Sequence, residues 1–197
     1  MSTTAFIQQI EPEWLLPSRG RVGMVCLIAA ESAIFTIFVV AYIFYIGKSI
    51  SGPMPKDVLE TPTFNTICLL SSSLTIHLAV RALRNARVAT FGLWWFLTMT
   101  LGTIFLVGTG REWHHLIVDR DLTISTNLFG TTYYSLVGLH AFHVTVGLFG
   151  LALGMIFTIA GRVKAEHAER VDVFSMYWHF VDAVWVVVFT VVYMIGR

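Results

Sequence analysis

The chain has 197 residues, of which 56% are hydrophobic, 14% aromatic and only 13% charged. A water-soluble domain carries about 25% charged residues, so the composition excludes one and predicts an all-α, polytopic membrane helix bundle with little mass outside the bilayer. The net charge of +1 gives no electrostatic basis for binding nucleic acid or an acidic substrate.

Residues 1–20 read as a tail. Glu11, Pro12, Glu13 and Pro17 break it up, it lacks the basic start and unbroken apolar core of a signal peptide, and Trp14 suits a surface anchor. Residues 21–197 form one five-helix transmembrane domain. The first span runs from about Arg21 to Ile46 and holds Glu31 ten residues in, ~15 Å deep at 1.5 Å per residue and near the midplane. No cation on its own helix offsets it. Two readings stay open: a protonatable carboxyl that holds or passes a proton, or a neutral acid hydrogen-bonded to a neighbouring helix.

Gly52-Pro53-Met54-Pro55 breaks the chain before a second span, about Phe64 to Leu83. Its serines, Ser71, Ser72 and Ser73, permit close helix approach, and His77 reads as a polar residue near the interface. A tight turn at Asn85 leads to the third span, about Phe91 to Glu112, where Glu112 and Trp113 read as boundary anchors or the start of a docking loop. A polar hinge, His114 to Asn127, precedes the fourth span, Leu128 to Ala160, which is longer than a bilayer requires. His140 and His143 lie three apart on one face of it. Imidazoles at that depth could ligate haem. Two on one helix cannot grip both faces of one haem, however, and hydrogen bonding across the bundle, to Glu31 for example, explains them as well. Gly150 and Gly154 mark a small-residue face.

A charged loop, Gly161 to Asp172, leads to the last span. There Trp178, His179, Asp182 and Trp185 recur three and four apart, so they share one helical face as a buried polar seam. Cys26 and Cys68 sit in apolar stretches without the spacing of a metal site. Arg19, Arg21, Arg81, Arg84, Arg87, Arg162, Lys164 and Arg170 fall on one side, against Lys48, Lys56, Arg111, Arg120 and Arg197 on the other. The positive-inside rule then places the N-terminus in the cytoplasm. No phosphate loop, nucleophile–base pair or metal-ligand set appears, so the expected role is part of a larger machine.

The stretch Tyr177-Trp178-His179-Phe180-Val181-Asp182-Ala183-Val184-Trp185 closely resembles the last-helix signature of subunit III of the haem–copper respiratory oxidases. Gly138-Leu139-His140-Ala141-Phe142-His143-Val144 matches that family's preceding helix, and Gly130-Thr131-Thr132-Tyr133-Tyr134 is similar to its lead-in. Glu31, after Gly23-Met24 and before Ser32, looks like its intramembrane glutamate, and Phe64-Asn65-Thr66 and Glu112-Trp113 fit the intervening helices. The resemblance covers Arg21 to the end and is to the short, five-helix bacterial form.

It implies a subunit of the inner membrane with no haem or copper of its own, those cofactors residing in partner subunits. It implies packing against catalytic subunit I, with subunit II and small subunits nearby, support of proton uptake, and room for bound phospholipid. Glu31 becomes the proton-supporting acid. Glu112, His140, His143, Trp178, His179, Asp182 and Trp185 become structural polar or lipid contacts. The electron donor stays open. The segments Glu112–Val118 and Val187–Tyr193 lean towards quinol oxidases, whereas Glu31 is the acid of the cytochrome c forms. A di-haem electron-transfer cytochrome and a subunit III-like partner of nitric oxide reductase are the alternatives.

Overall fold

The computed structural model describes residues 18–196 except 50, 51, 54 and 60, and gives only the backbone of Lys56 and Asp57. The expected tail anchor, Trp14, lies outside the described residues. The elements are α1 (Arg19–Tyr45), a single turn α2 (Pro55–Val58), α3 (Thr63–Arg84), α4 (Val88–Val118), α5 (Leu128–Ile159) and α6 (Ala168–Phe189), with a 3-10 turn at Ala165–His167. The last helix ends in a π-helical turn, Thr190–Ile195. Among the described residues there is no strand, and five helices are long and apolar enough to cross a membrane.

Helix ends follow local chemistry. Ser18 caps α1, its hydroxyl accepting from Arg21 N–H at 3.4 Å, and Asn127 caps α5, its side-chain oxygen accepting from Gly130 N–H at 2.8 Å. The C-termini of α3 and α5 close in the same way. In α5, Arg162 N–H donates to the Phe157 carbonyl and Gly161 N–H to the Thr158 carbonyl, both at 3.0 Å. In α3, Arg87 N–H donates to Ala82 and Ala86 N–H to Leu83, again at 3.0 Å. Both are Schellman closures, which put one residue in the left-handed region. Gly161 takes it at φ 68°, but in α3 the residue is Ala86 at φ 57°.

Two expected boundaries shift. The helix of the third span continues past Glu112 to Val118, so the hinge shrinks to 119–127. The charged segment before the last span is largely helical, because α6 begins at Ala168, with Glu169 in the first turn favoured by the helix dipole.

α6 is central, packing on α1, α3 and α5, while α4 closes the far side against α3 and α5. α1 is the outlying helix, with only Phe35 and Tyr42 fully buried. The core is aromatic, and the largest fully buried side chains are Trp178 and Trp185. Trp178 is seated between two glycines: a Cβ at Gly102 on α4 would lie 2.8 Å from its ring, and one at Gly147 on α5 would lie 2.7 Å away. Gly154 seats Trp95 and Gly150 seats Phe174. The small-residue face of α5 therefore admits rings from α4 and α6 rather than another helix backbone.

Candidate functional site

The polar residues inside the bundle form three groups at different depths. The first joins α1 to α5. His143 Nε2 lies 3.1 Å from Glu31 Oε2, while its Nδ1 lies 2.8 Å from the Leu139 carbonyl one turn back. A carbonyl only accepts, so Nδ1 carries a proton and Nε2 faces the carboxyl. The contact has two forms: an imidazolium beside a carboxylate, or a neutral imidazole accepting from a carboxylic acid. Both are electrically neutral overall and both hold one proton between the two side chains. Neutrality matters here, because an isolated charge at this depth costs several kcal/mol. The His143 side chain is 9% exposed and that of Glu31 24%, so the acid is the member that can be reached from outside. Phe35 packs on the imidazole with ring centroids 4.9 Å apart, and Tyr177 of α6 donates to the His143 carbonyl at 3.0 Å.

His140, one turn away, is different. Both ring nitrogens are buried without a hydrogen-bond partner. The ring stacks on Trp185 at 5.0 Å and meets the edge of Phe105 at 5.7 Å. The two histidines that sequence spacing pairs are thus separated by packing. One is hydrogen-bonded across the bundle, and the other is held as an aromatic ring.

The second group is the seam between α6 and the hydroxyls of α3. Trp178 Nε1 donates to Ser72 at 2.8 Å and Trp185 Nε1 to Thr66 at 3.1 Å. The Ser73 hydroxyl lies 2.7 Å from His179 Nδ1. Asp182 is buried with neither carboxyl oxygen in hydrogen-bond geometry. The four residues expected on one face are all on the protein-facing side of α6, though His179 is only partly buried. His77 is exposed and lines a cavity at the arginine-rich end of the bundle.

The third group lies towards the opposite end. Glu112 accepts from Tyr193 at 2.7 Å and from Tyr133 at 3.1 Å, and the two phenol oxygens are 3.4 Å apart. Glu112 is therefore no simple boundary anchor: it ties α4 to α5 and to the π turn. That turn buries Val191, Val192 and Tyr193 in succession, an arc of about 200° if the residues were α-helical. The two tyrosines were not anticipated from the sequence. The signal available was Glu112 itself, an acid whose helix carries on to Val118.

Among the described residues no group of three or more His, Cys, Asp or Glu side chains could hold a metal ion.

The family model for cytochrome c oxidase subunit III matches residues 18–197. The chain is 35% identical over 176 residues to cytochrome c oxidase subunit 3 of Alkalihalophilus pseudofirmus, which covers 88% of this chain and 85% of that protein. It is 36% identical over 188 residues to cytochrome c oxidase subunit 3 of Synechocystis, covering 91% and 77%. To cytochrome bo(3) ubiquinol oxidase subunit 3 of Pseudomonas aeruginosa it is 31% identical over 176 residues, covering 88% and 84%.

Proposed function

The chain belongs to the cytochrome c oxidase subunit III family, as a multi-pass bacterial membrane subunit of a haem–copper oxidase, and from that premise we propose that it serves the oxidase as a non-redox support for proton supply. Dioxygen reduction takes place in partner subunit I, which holds haem and copper, and the chain lies against subunit I in the inner membrane with its N-terminus in the cytoplasm. Subunit II and smaller subunits are the remaining partners.

The observation that carries this reading is the Glu31–His143 contact, a neutral pair sharing one proton. A proton can shift between the two side chains without net charge appearing in the bilayer, and the partly exposed Glu31 is the side on which it is exchanged. Packing supports the non-redox part. The bis-histidine haems of a di-haem membrane cytochrome each need two opposed histidines with a free imidazole nitrogen facing the iron. His143 has both nitrogens engaged, His179 Nδ1 is at a serine, and the His140 ring lies against Trp185 and Phe105. This disfavours a di-haem cytochrome.

The test compares oxidase containing Glu31→Gln with wild type. The expected result is slower proton uptake and a turnover lifetime shortened several-fold, at unchanged haem content. A Soret band on the isolated chain, or an oxidase indifferent to Glu31→Gln, would sink the reading. The similarity to relatives named for both donors leaves cytochrome c and quinol to be separated by assay with each.

A further inference from the structure

Oxidisable rings run in unbroken contact through the end of the bundle opposite the arginines. Trp113 of α4 meets Tyr134 of α5 with ring centroids 5.4 Å apart, and Tyr134 meets Tyr133 at 5.1 Å. The phenol oxygens of Tyr133 and Tyr193 are 3.4 Å apart, and the Tyr193 ring lies 6.4 Å from that of Trp185 on α6. Trp113 is partly exposed and the other four are buried. Electron tunnelling decays steeply with distance, so rings in contact exchange an electron readily. What differs along the chain is where a proton can go. An oxidised phenol is a very strong acid, so a lasting radical needs a base for the phenolic proton. Tyr134 donates to the Leu122 carbonyl at 2.8 Å and Trp185 Nε1 to the Thr66 hydroxyl at 3.1 Å. Those oxygens accept a hydrogen bond but take up no proton near neutral pH. The Trp113 Nε1 is buried without an acceptor among the described residues. Of the five rings, Tyr193 and Tyr133 alone donate to a carboxylate, Glu112, at 2.7 and 3.1 Å. Both distances lie within reach of a general base.

We infer that Tyr193 is a tyrosyl-radical site, which traps an oxidising equivalent entering at Trp113 by passing its phenolic proton to Glu112. The oxidant is a one-electron acceptor of high potential, of the class of the peroxyl and hydroxyl radicals. It takes one electron from Trp113 and is reduced by one. Tyr134 and then Tyr133 refill the vacancy, and Tyr193 supplies the last electron. The Tyr193 O–H bond breaks as the proton crosses 2.7 Å to Glu112 Oε1, leaving a neutral phenoxyl and a neutral carboxylic acid. Oxidation thus removes a buried negative charge instead of creating a positive one, which favours it where isolated charges are costly. The Tyr133 hydroxyl, 3.4 Å from the phenoxyl oxygen, stays as a donor to it. Return of one electron, with the proton from Glu112, restores the phenol. Trp113 and Tyr134 have no base of their own, so they relay the vacancy and do not keep it. The site involves neither Glu31 nor the proton supply proposed for it. Dioxygen reduction in a partner subunit is a source of oxidant and nothing more.

The experiment uses the full-length chain, purified in mild detergent with whatever subunits accompany it. A flash in the presence of ruthenium tris-bipyridine and persulfate supplies the oxidant. The sample is frozen after a delay, and the persistent radical is recorded as a light-minus-dark electron paramagnetic resonance spectrum in water and in deuterium oxide. The wild type should give a tyrosyl doublet with a coupling to an exchangeable deuteron. Tyr193→Phe should largely abolish it, and Trp113→Phe should lower its yield several-fold. Glu112→Gln should lower it about tenfold, the equivalent of ~1.4 kcal/mol for the lost bond to a charged acceptor. Tyr133→Phe should form the radical more slowly, raise its largest g value and remove the deuteron coupling, none of which a packing role would produce. The exposed Tyr45, at the end of α1 and outside the chain of rings, serves as control, and Tyr45→Phe should change nothing. Four results would each overturn the inference: a full doublet in Tyr193→Phe, an unchanged yield in Trp113→Phe, an unchanged yield in Glu112→Gln with native helicity, or a doublet lost in Tyr45→Phe. A misfolded Glu112→Gln would be recognised by circular dichroism, and Tyr193→Phe with the spectrum of Tyr133→Phe would then decide.

Discussion

His143 stands 3.1 Å from Glu31 across the α1–α5 boundary, and its second ring nitrogen is tied down at the Leu139 carbonyl. The imidazole is therefore fixed in orientation, and the carboxyl has a single well-placed partner. Removing the imidazole strands a partly buried acid. His143→Phe should lower stability in mild detergent by about 1–3 kcal/mol, the penalty for a buried polar group left without its partner. Adding Glu31→Leu should recover part of that loss. Thermal unfolding of the two single variants and the double variant measures the coupling, which direct contact predicts at about 0.5–3 kcal/mol. Strict additivity would show that the contact contributes nothing.

His140 reverses the expectation although it lies only three residues away. Its ring nitrogens have no partner and its faces meet Trp185 and Phe105. An apolar ring of similar shape removes the burden of two buried, unsatisfied polar atoms. His140→Phe should be neutral or stabilising in the same unfolding assay. A large loss of stability would reveal a hydrogen bond that the packing does not account for.

These two histidines also show where the sequence stops being informative. Hydrophobic length, the Gly-Pro break and the arginine distribution made five spans legible, because a bilayer leaves the backbone few options. The face shared by Trp178, Asp182 and Trp185 followed from helical periodicity. Periodicity places His140 and His143 on one face, however, and cannot show that a neighbouring helix brings a carboxylate to one and a tryptophan to the other. The same limit applies to Glu112. Its partners Tyr133 and Tyr193 lie 21 and 81 residues away, and one of them arrives on a π turn that no local pattern announces.

The seat of Trp178 predicts a contrast among glycines. Gly102→Ala and Gly147→Ala each place a methyl group within 3 Å of the indole, at 2.8 and 2.7 Å, with Trp178 itself fully buried. Each should cost about 1–3 kcal/mol through overpacking. Gly23, also helical, has nothing within 4 Å of an added Cβ. Gly23→Ala should be neutral or stabilise by up to about 1 kcal/mol, since alanine loses less freedom in a helix. Unfolding temperatures of the three variants test the contrast, and a destabilised Gly23→Ala would point to a partner surface lying on α1.

Tyr193 gives a prediction for the π turn. Its hydroxyl is 2.7 Å from Glu112, and the same carboxylate oxygen also accepts from Tyr133. Tyr193→Phe deletes one donor to a carboxylate and leaves the ring stacked on Phe189, whose centroid is 5.5 Å away. A hydrogen bond to a charged group contributes about 1.5–3 kcal/mol. The loss should appear as faster amide exchange from Thr190 to Ile195 with the other helices unaffected. Uniform exchange across the bundle would mean that the contact stabilises the whole fold rather than that turn.

Ala86 supplies the last prediction. The Schellman closures of α3 and α5 make the same pair of hydrogen bonds, yet one places Ala86 and the other Gly161 in the left-handed region, at φ 57° and 68°. A left-handed residue with a Cβ costs roughly 1–2 kcal/mol, while glycine adopts that region freely. Glycine also gains entropy in the unfolded chain, which offsets part of the relief. Ala86→Gly should therefore stabilise the protein by about 0.5–1 kcal/mol, seen as a raised unfolding temperature. The side chain of Ala86 is exposed, so no packing is lost to confuse the result. An unchanged or lowered temperature would mean that the turn between α3 and α4 is held by something other than its backbone geometry.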